Sequence, residues 1–155
     1  MESQPAIWKK AGPEDHDFIR EASQEFAIFG PYTEIIEGWL RDSWVETWVY
    51  EDKKGFLMLG PFFPIFFRSV LDVMVIYVSP AWRRRGVGKT MLEFACTRAS
   101  RKGYRFLRAH VGCENHPALE LFKKAGFKIK KRIEDYYPSG LAAFEFLKEV
   151  KNSER

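Results

Sequence analysis

The residues best placed to do chemistry form one run, Val78-Ser79-Pro80-Ala81-Trp82-Arg83-Arg84-Arg85-Gly86-Val87-Gly88-Lys89-Thr90, between an apolar strand and a long helix. Backbone N–H groups at a helix N-terminus are unpaired and partly positive, and glycine lets a phosphate approach with no Cβ in the way. Arginine adds bidentate phosphate contacts. The run therefore reads as an anion site suited to phosphate; its structural alternative is a solvated basic turn with a tight glycine connection. A Walker A loop would need glycine where Arg83 stands, although Gly88-Lys89-Thr90 matches its end. A dinucleotide GxGxxG loop starts at Gly86 and Gly88 but then meets Met91.

What fits is Arg-x-x-Gly-x-Gly at Arg83, Gly86 and Gly88, which resembles the pyrophosphate motif of the GNAT acetyltransferases. Asn115, Ala118, Leu121-Phe122 and Ala125-Gly126-Phe127 resemble the second segment of that family. The resemblance implies acetyl-CoA as co-substrate, with no metal. It assigns pantetheine pairing to the backbone of Ile76, Tyr77 and Val78, the pyrophosphate to residues 83–90 (Arg83, Arg84, Arg85, Gly86, Val87, Gly88, Lys89 and Thr90), and a pantetheine contact to Asn115, which could instead cap the following helix. The family tyrosine that protonates the leaving thiolate is replaced by Phe122, which has no proton to give. A thiol pKa of about 8.5 makes the thiolate a tolerable leaving group without it.

For the general base the resemblance points to His110, five residues before Asn115, where protein N-terminal acetyltransferases carry Glu or His; Asp72 and Glu34 are the alternatives. An imidazole with a pKa near ~6.5 suits the task. Asp72 either faces the same cleft or pairs structurally with Arg68 or Arg108, since a buried carboxylate needs a partner. Tyr136-Tyr137 and the loop carrying Glu34 resemble the substrate-holding elements of N-terminal acetyltransferases; Phe29 and Tyr32 are candidates for the same wall or for plain core packing. An α-amine, with a pKa of about 7.7–8.0, yields its proton to a histidine more readily than lysine at about 10.4. The expected acceptor is thus a peptide N-terminus. A small amine acceptor, or a non-catalytic acyl-CoA-binding module, are the alternatives.

These residues need an α+β scaffold. The resemblance implies a central mixed, mostly antiparallel sheet of six to seven strands with four helices, splayed between the fourth and fifth strands. Patterning predicts a first strand over 6–10 and a helix from Pro13 that carries Phe18, Ala22, Glu25, Phe26 and Phe29 to a stop at Gly30-Pro31. A short helix over 33–41 and a hairpin of 44–50 with 55–59 follow. Residues 69–78 form a strand buried on both faces, with Asp72 its only charge. Helices are expected over 86–102 and from Pro117 to Gly126, enclosing a strand at 105–111. A final antiparallel pair turns at Pro138-Ser139-Gly140.

The chain has 155 residues, suiting one domain over 1–155. At 46% hydrophobic and 16% aromatic it can build a core, and disorder is excluded. A net charge of +4 favours anionic ligands without demanding nucleic acid. No secretory signal is visible, and the apolar run 56–67 is too short to span a membrane and is broken by Pro61 and Pro64. Cys96 and Cys113 lack metal or redox spacing, which points to reduced thiols in a cytoplasm. The apolar connection Phe62-Phe63-Pro64-Ile65-Phe66-Phe67 could be a homodimer contact, a substrate wall or buried packing.

Overall fold

The computed structural model describes residues 7–61 and 69–150. The start of the predicted first strand at Ala6, the 62–67 connection and Arg68 lie outside the described residues. Seven strands form one sheet: β1 (Trp8–Lys10), β2 (Glu46–Tyr50), β3 (Gly55–Pro61), β4 (Val70–Val78), β5 (Phe106–Gly112), β6 (Lys128–Ile133) and β7 (Ala143–Glu149). Their spatial order is β1-β2-β3-β4-β5-β7-β6, antiparallel throughout except for the parallel β4–β5 pair. Four α-helices accompany them: α1 (His16–Ser23), α2 (Tyr32–Arg41), α3 (Val87–Arg101) and α4 (His116–Lys124).

Each face of the sheet has its own core. Leu57, Leu59, Leu71, Val73, Leu107, Ala109, Val111 and Phe146 pack with Val87, Met91, Leu92, Ala95 and Ala99 of α3 and Phe122 of α4. Val49, Phe56, Met58 and Val75 pack on the opposite side with Ile19 and Ala22 of α1 and Ile36 of α2. Leu71 and Val73 thus face α3 while Val75 faces α1 and α2, which strict alternation forbids. A bulge resolves it: Met58 pairs with Val75 and Leu59 with Val73, leaving Met74 as the extra residue.

The β4–β5 ladder runs only from Val70↔Phe106 to Val73↔Ala109. Beyond that point the strands diverge, and the β5-facing edge of β4 from Met74 to Val78 has no strand partner among the described residues. This is the expected splay, and it begins at the bulge.

The predicted helix from Pro13 to Phe29 is replaced by a 3-10 turn (Pro13–Asp15), α1, and a 3-10 segment (Gln24–Phe29). With three residues per turn, the 3-10 geometry eclipses Phe26 and Phe29, and both rings reach the same cavity. An α-helix would have rotated them apart by about 60°. The buried Asp15, unremarked in the sequence, holds the first turn by accepting from Gly12 N at 2.9 Å and Lys9 Nζ at 2.5 Å.

Candidate active site

The splay opens a cavity of about 250 Å³ that passes between the two faces. Asn115, Ala118 and Phe122 line it on the α4 side; Phe26, Phe29, Tyr32, Trp39, Tyr136 and Tyr137 line it on the α2 side. Asp72, Met74, Val75 and Ile76 of β4 and Arg108, His110 and Val111 of β5 form its walls. A linear thioester entering from α3 and α4 would meet an acceptor entering from the opposite face.

At the α3 end, Gly86 adopts φ +84°, a left-handed conformation that favours glycine, and a Cβ there would meet only open space. No side chain caps α3, and Thr90 N donates to Gly86 O at 3.1 Å. The open first-turn donors are therefore those of Val87, Gly88 and Lys89. At Gly88 the α3–α4 approach is close: a Cβ would lie 3.0 Å from Leu121 Cδ2 and would require that side chain to shift. Arg84, Arg85 and Lys89 are exposed and make no ion pair among the described residues. Arg83 is engaged differently: its Nη2 donates to both Glu25 oxygens at 2.7 and 2.8 Å and its Nε to Val78 O at 2.7 Å. The Val78 carbonyl is thereby occupied. Ser79 N donates to Lys54 O, so by the alternation of an antiparallel ladder the Tyr77 backbone pairs with Phe56 of β3, contrary to expectation, and the open edge offers the Val78 N–H and the backbone of Ile76. Uncapped donors, open space at Gly86 and exposed cations together fit a pyrophosphate group.

Of the two readings offered for Asn115, the structure shows the helix cap. Its Oδ1 accepts from Ala118 N at 3.4 Å as the α4 cap, and the residue also lines the cavity. Phe122 is buried at the cavity end, tilted edge-on to Phe127 at 5.0 Å.

On the acceptor side, Asp72 accepts from Arg108 Nε at 2.7 Å and Nη2 at 2.8 Å, the bidentate structural pairing of the two readings offered for it. It makes no hydrogen bond to His110. His110 points to the acceptor face because Ala109 and Val111 point to the other. Its Nε2 lies 3.0 Å from Glu145 Oε1, and its ring stacks on Tyr136 at 4.6 Å and 20°. Burial lowers the His110 pKa below 6.5, with Arg108 acting in the same direction and Glu145 and Asp72 opposing.

Tyr137 Oη donates to the His110 carbonyl at 3.3 Å, and its ring meets Phe29 at 4.4 Å and Tyr136 edge-on at 4.8 Å. Burial raises the Tyr136 pKa to about 12, and raises Tyr137 and Tyr32 as well, so all three stay phenols near neutral pH. Glu34 does not join them: it is exposed on the first turn of α2 and is not among the residues lining the cavity. The residues that sequence reading passed over are Glu145, Trp39 and Met74. Among the described residues no cluster of His, Cys, Asp or Glu could hold a metal ion.

A seven-stranded sheet splayed beside an uncapped, glycine-led helix is the frame of an acyl-CoA-dependent acetyltransferase. Residues 14–127 match the acetyltransferase (GNAT) family, and the chain belongs to it. Peptidyl-lysine N-acetyltransferase YjaB of Salmonella typhimurium is 26% identical over 131 residues, 83% of this chain and 77% of that protein. An N-alpha-acetyltransferase of Sulfurisphaera tokodaii is 35% identical over 74 residues, 46% of this chain and 44% of that protein. An uncharacterized N-acetyltransferase of Methanocaldococcus jannaschii is 33% identical over 69 residues, 44% of this chain and only 30% of that protein's length. The fold also matches Arabidopsis thaliana NAA60 in complex with a bisubstrate analogue, at TM-score 0.79 and 16% identity over 94% of this chain and 98% of that one. It matches the ribosomal-protein-S18-alanine N-acetyltransferase of Escherichia coli at TM-score 0.76 and 16% identity, over 93% of each chain. No helix of the described residues is long and apolar enough to cross a membrane.

Proposed function

We propose that the chain, as a single domain, transfers the acetyl group of acetyl-CoA to the α-amine of a peptide N-terminus, with His110 as general base. The observation that carries this reading is the placement of His110 on the acceptor face of the splay, walled by Phe29, Tyr32, Tyr136 and Tyr137. The rings of this wall suit an extended peptide end and an entering ammonium group. Free thiols at Cys96 and Cys113 accord with a cytoplasmic setting.

The amine nitrogen attacks the thioester carbonyl carbon, its proton passes to His110, and the C–S bond breaks as the thiolate leaves. Phe122 offers that thiolate no proton, so water supplies it. Because burial holds His110 below pKa 6.5, the imidazole is neutral and able to accept near pH 7. The same low basicity widens its gap to a lysine at about 10.4 and leaves the smaller gap to an α-amine at about 7.7–8.0.

A lysine side chain is the second reading, favoured by the peptidyl-lysine relative that spans 83% of the chain. Two peptide pools with acetyl-CoA separate them, one with free N-termini and no lysine, the other N-terminally blocked with lysine, the products located by mass. The expected result is acetylation of the first pool only. Acetylation of the blocked pool alone establishes the lysine reading, and modification of neither redirects the search to small amines.

A further inference from the structure

Glu145 stands on β7 directly across from His110, its register partner on β5. Both side chains are mostly buried, 14% exposed for His110 and 16% for Glu145. A carboxylate only accepts, so Nε2 of His110 carries the proton toward Glu145 and Nδ1 keeps the lone pair. The stacked Tyr136 ring restrains rotation of the imidazole, and the Tyr137 hydroxyl anchors the His110 carbonyl. One nitrogen is held and the other is left for chemistry.

We propose that Glu145 is the positioning residue of the deprotonation step, fixing the Nε2–H form of His110 and stabilising the imidazolium that appears when Nδ1 takes the amine proton. This rests on the reading of His110 as the base. In the step an N–H bond of the amine breaks, the proton comes to rest on Nδ1 and then passes to solvent, and Glu145 neither gains nor loses a proton. The groups facing the imidazole are Glu145 from β7, Asp72 from β4, Arg108 from its own strand and Tyr136 from the β6–β7 connection. Asp72 and Arg108 are committed to their bidentate pair, and Lys131, the β6 register partner of Glu145, is exposed and makes no ion pair with it among the described residues, which leaves Glu145 as the carboxylate in contact with the ring. A purely structural cross-strand pair would affect stability when broken but would leave kcat and its pH limb unchanged.

The test compares kcat and kcat/KM against pH for the wild type, Glu145→Gln, Glu145→Asp and His110→Ala, with acetyl-CoA affinity measured for each. Glu145→Gln should lose about tenfold or more in kcat with little change in KM. Since the carboxylate favours the charged ring, its loss lowers the His110 pKa, and the acid limb of kcat/KM should move to lower pH. Glu145→Asp should recover part of the rate and of the limb. Long-range proton–nitrogen NMR of the wild-type imidazole should show the proton on Nε2, a readout that survives even if the variants fold poorly. A proton on Nδ1, or Glu145→Gln with wild-type rate and limb while His110→Ala is inactive, would overturn the proposal and leave His110 as base. Full turnover by His110→Ala would remove the base reading itself, and with it the role assigned to Glu145.

Discussion

Asp72 and Arg108 hold each other at the floor of the acceptor cavity with two hydrogen bonds, their side chains 22% and 16% exposed. Breaking such a pair leaves a poorly solvated charge behind, whereas replacing both partners removes the desolvation cost as well. Asp72→Asn should therefore cost about 1–3 kcal/mol in urea unfolding, the partial exposure placing it below the fully buried range. The double variant Asp72→Leu/Arg108→Met should lose less than the two single variants together. Additive losses would mean that the two charges are not energetically coupled. At this scale the sequence is legible where a side chain breaks a pattern: Asp72 is the sole charge in an apolar strand and His110 a polar residue in another. Glu145 carries no such mark. In Ala142-Ala143-Phe144-Glu145-Phe146-Leu147 it occupies an ordinary outward position of an alternating strand, and only the β5–β7 register, across 35 residues of sequence, brings it to His110.

The elements that frame the acceptor side are locked to one another by backbone. Ser139 N donates to Phe29 O at 3.1 Å, and Gly30 at φ +147° lies against Pro138, where a Cβ would come within 2.9 Å of the proline Cβ. Gly30→Ala should push the Gln24–Phe29 segment off the Tyr136–Gly140 turn and displace Phe29 from the cavity wall. Strain of about 1–3 kcal/mol at such a backbone position, relieved by displacing the wall, corresponds to a rise in KM for the peptide of roughly 5- to 150-fold. Acetyl-CoA affinity, measured by calorimetry, should be unchanged because α3 is untouched; a parallel loss of both would show that the loop also shapes the cofactor side. The helices α3 and α4 were legible to within a residue or two, since Gly86, Gly103, Pro117 and Gly126 punctuate them chemically. The bulge at Met74 was not, because every neighbour from Val73 to Val78 is apolar and a uniform run carries no phase. The change from α-helix to 3-10 after Ser23 escaped for a related reason: Phe26 and Phe29 fit an α-helical stripe, and the tertiary demand of the cavity decides between the two geometries.

Across the whole molecule, the groups shifted below their ordinary pKa values tie stability to pH in one direction. Burial would raise the Glu46 pKa, but hydrogen bonds from Arg98, Lys102 and Trp48 outweigh it and bring the group to about 2. The Arg98 and Lys102 contacts tether β2 to the C-terminal end of α3 and thereby the outer strands to the helix that opens the cofactor site. Asp15 is likewise lowered, burial opposing and the Lys9 contact prevailing, and His110 is lowered by burial. A group whose folded pKa lies below its unfolded value binds fewer protons when folded, so its contribution is complete above the unfolded pKa and is lost as pH falls toward the folded one. For Glu46 that window runs from the ordinary value of 4.5 down to about 2, and the shift corresponds to about 3 kcal/mol. Glu46→Gln removes this term while leaving Asp15 and His110 to titrate as before, so their effects cancel in the difference between the two proteins. Chemical unfolding should show the wild type more stable by about 2–3 kcal/mol at pH 7, with the gap closing between pH 4.5 and 2. A gap that stays constant across that interval would mean that Glu46 titrates alike in folded and unfolded chains, and that the tether between β2 and α3 owes its strength to packing of Trp48 against Phe94 rather than to charge.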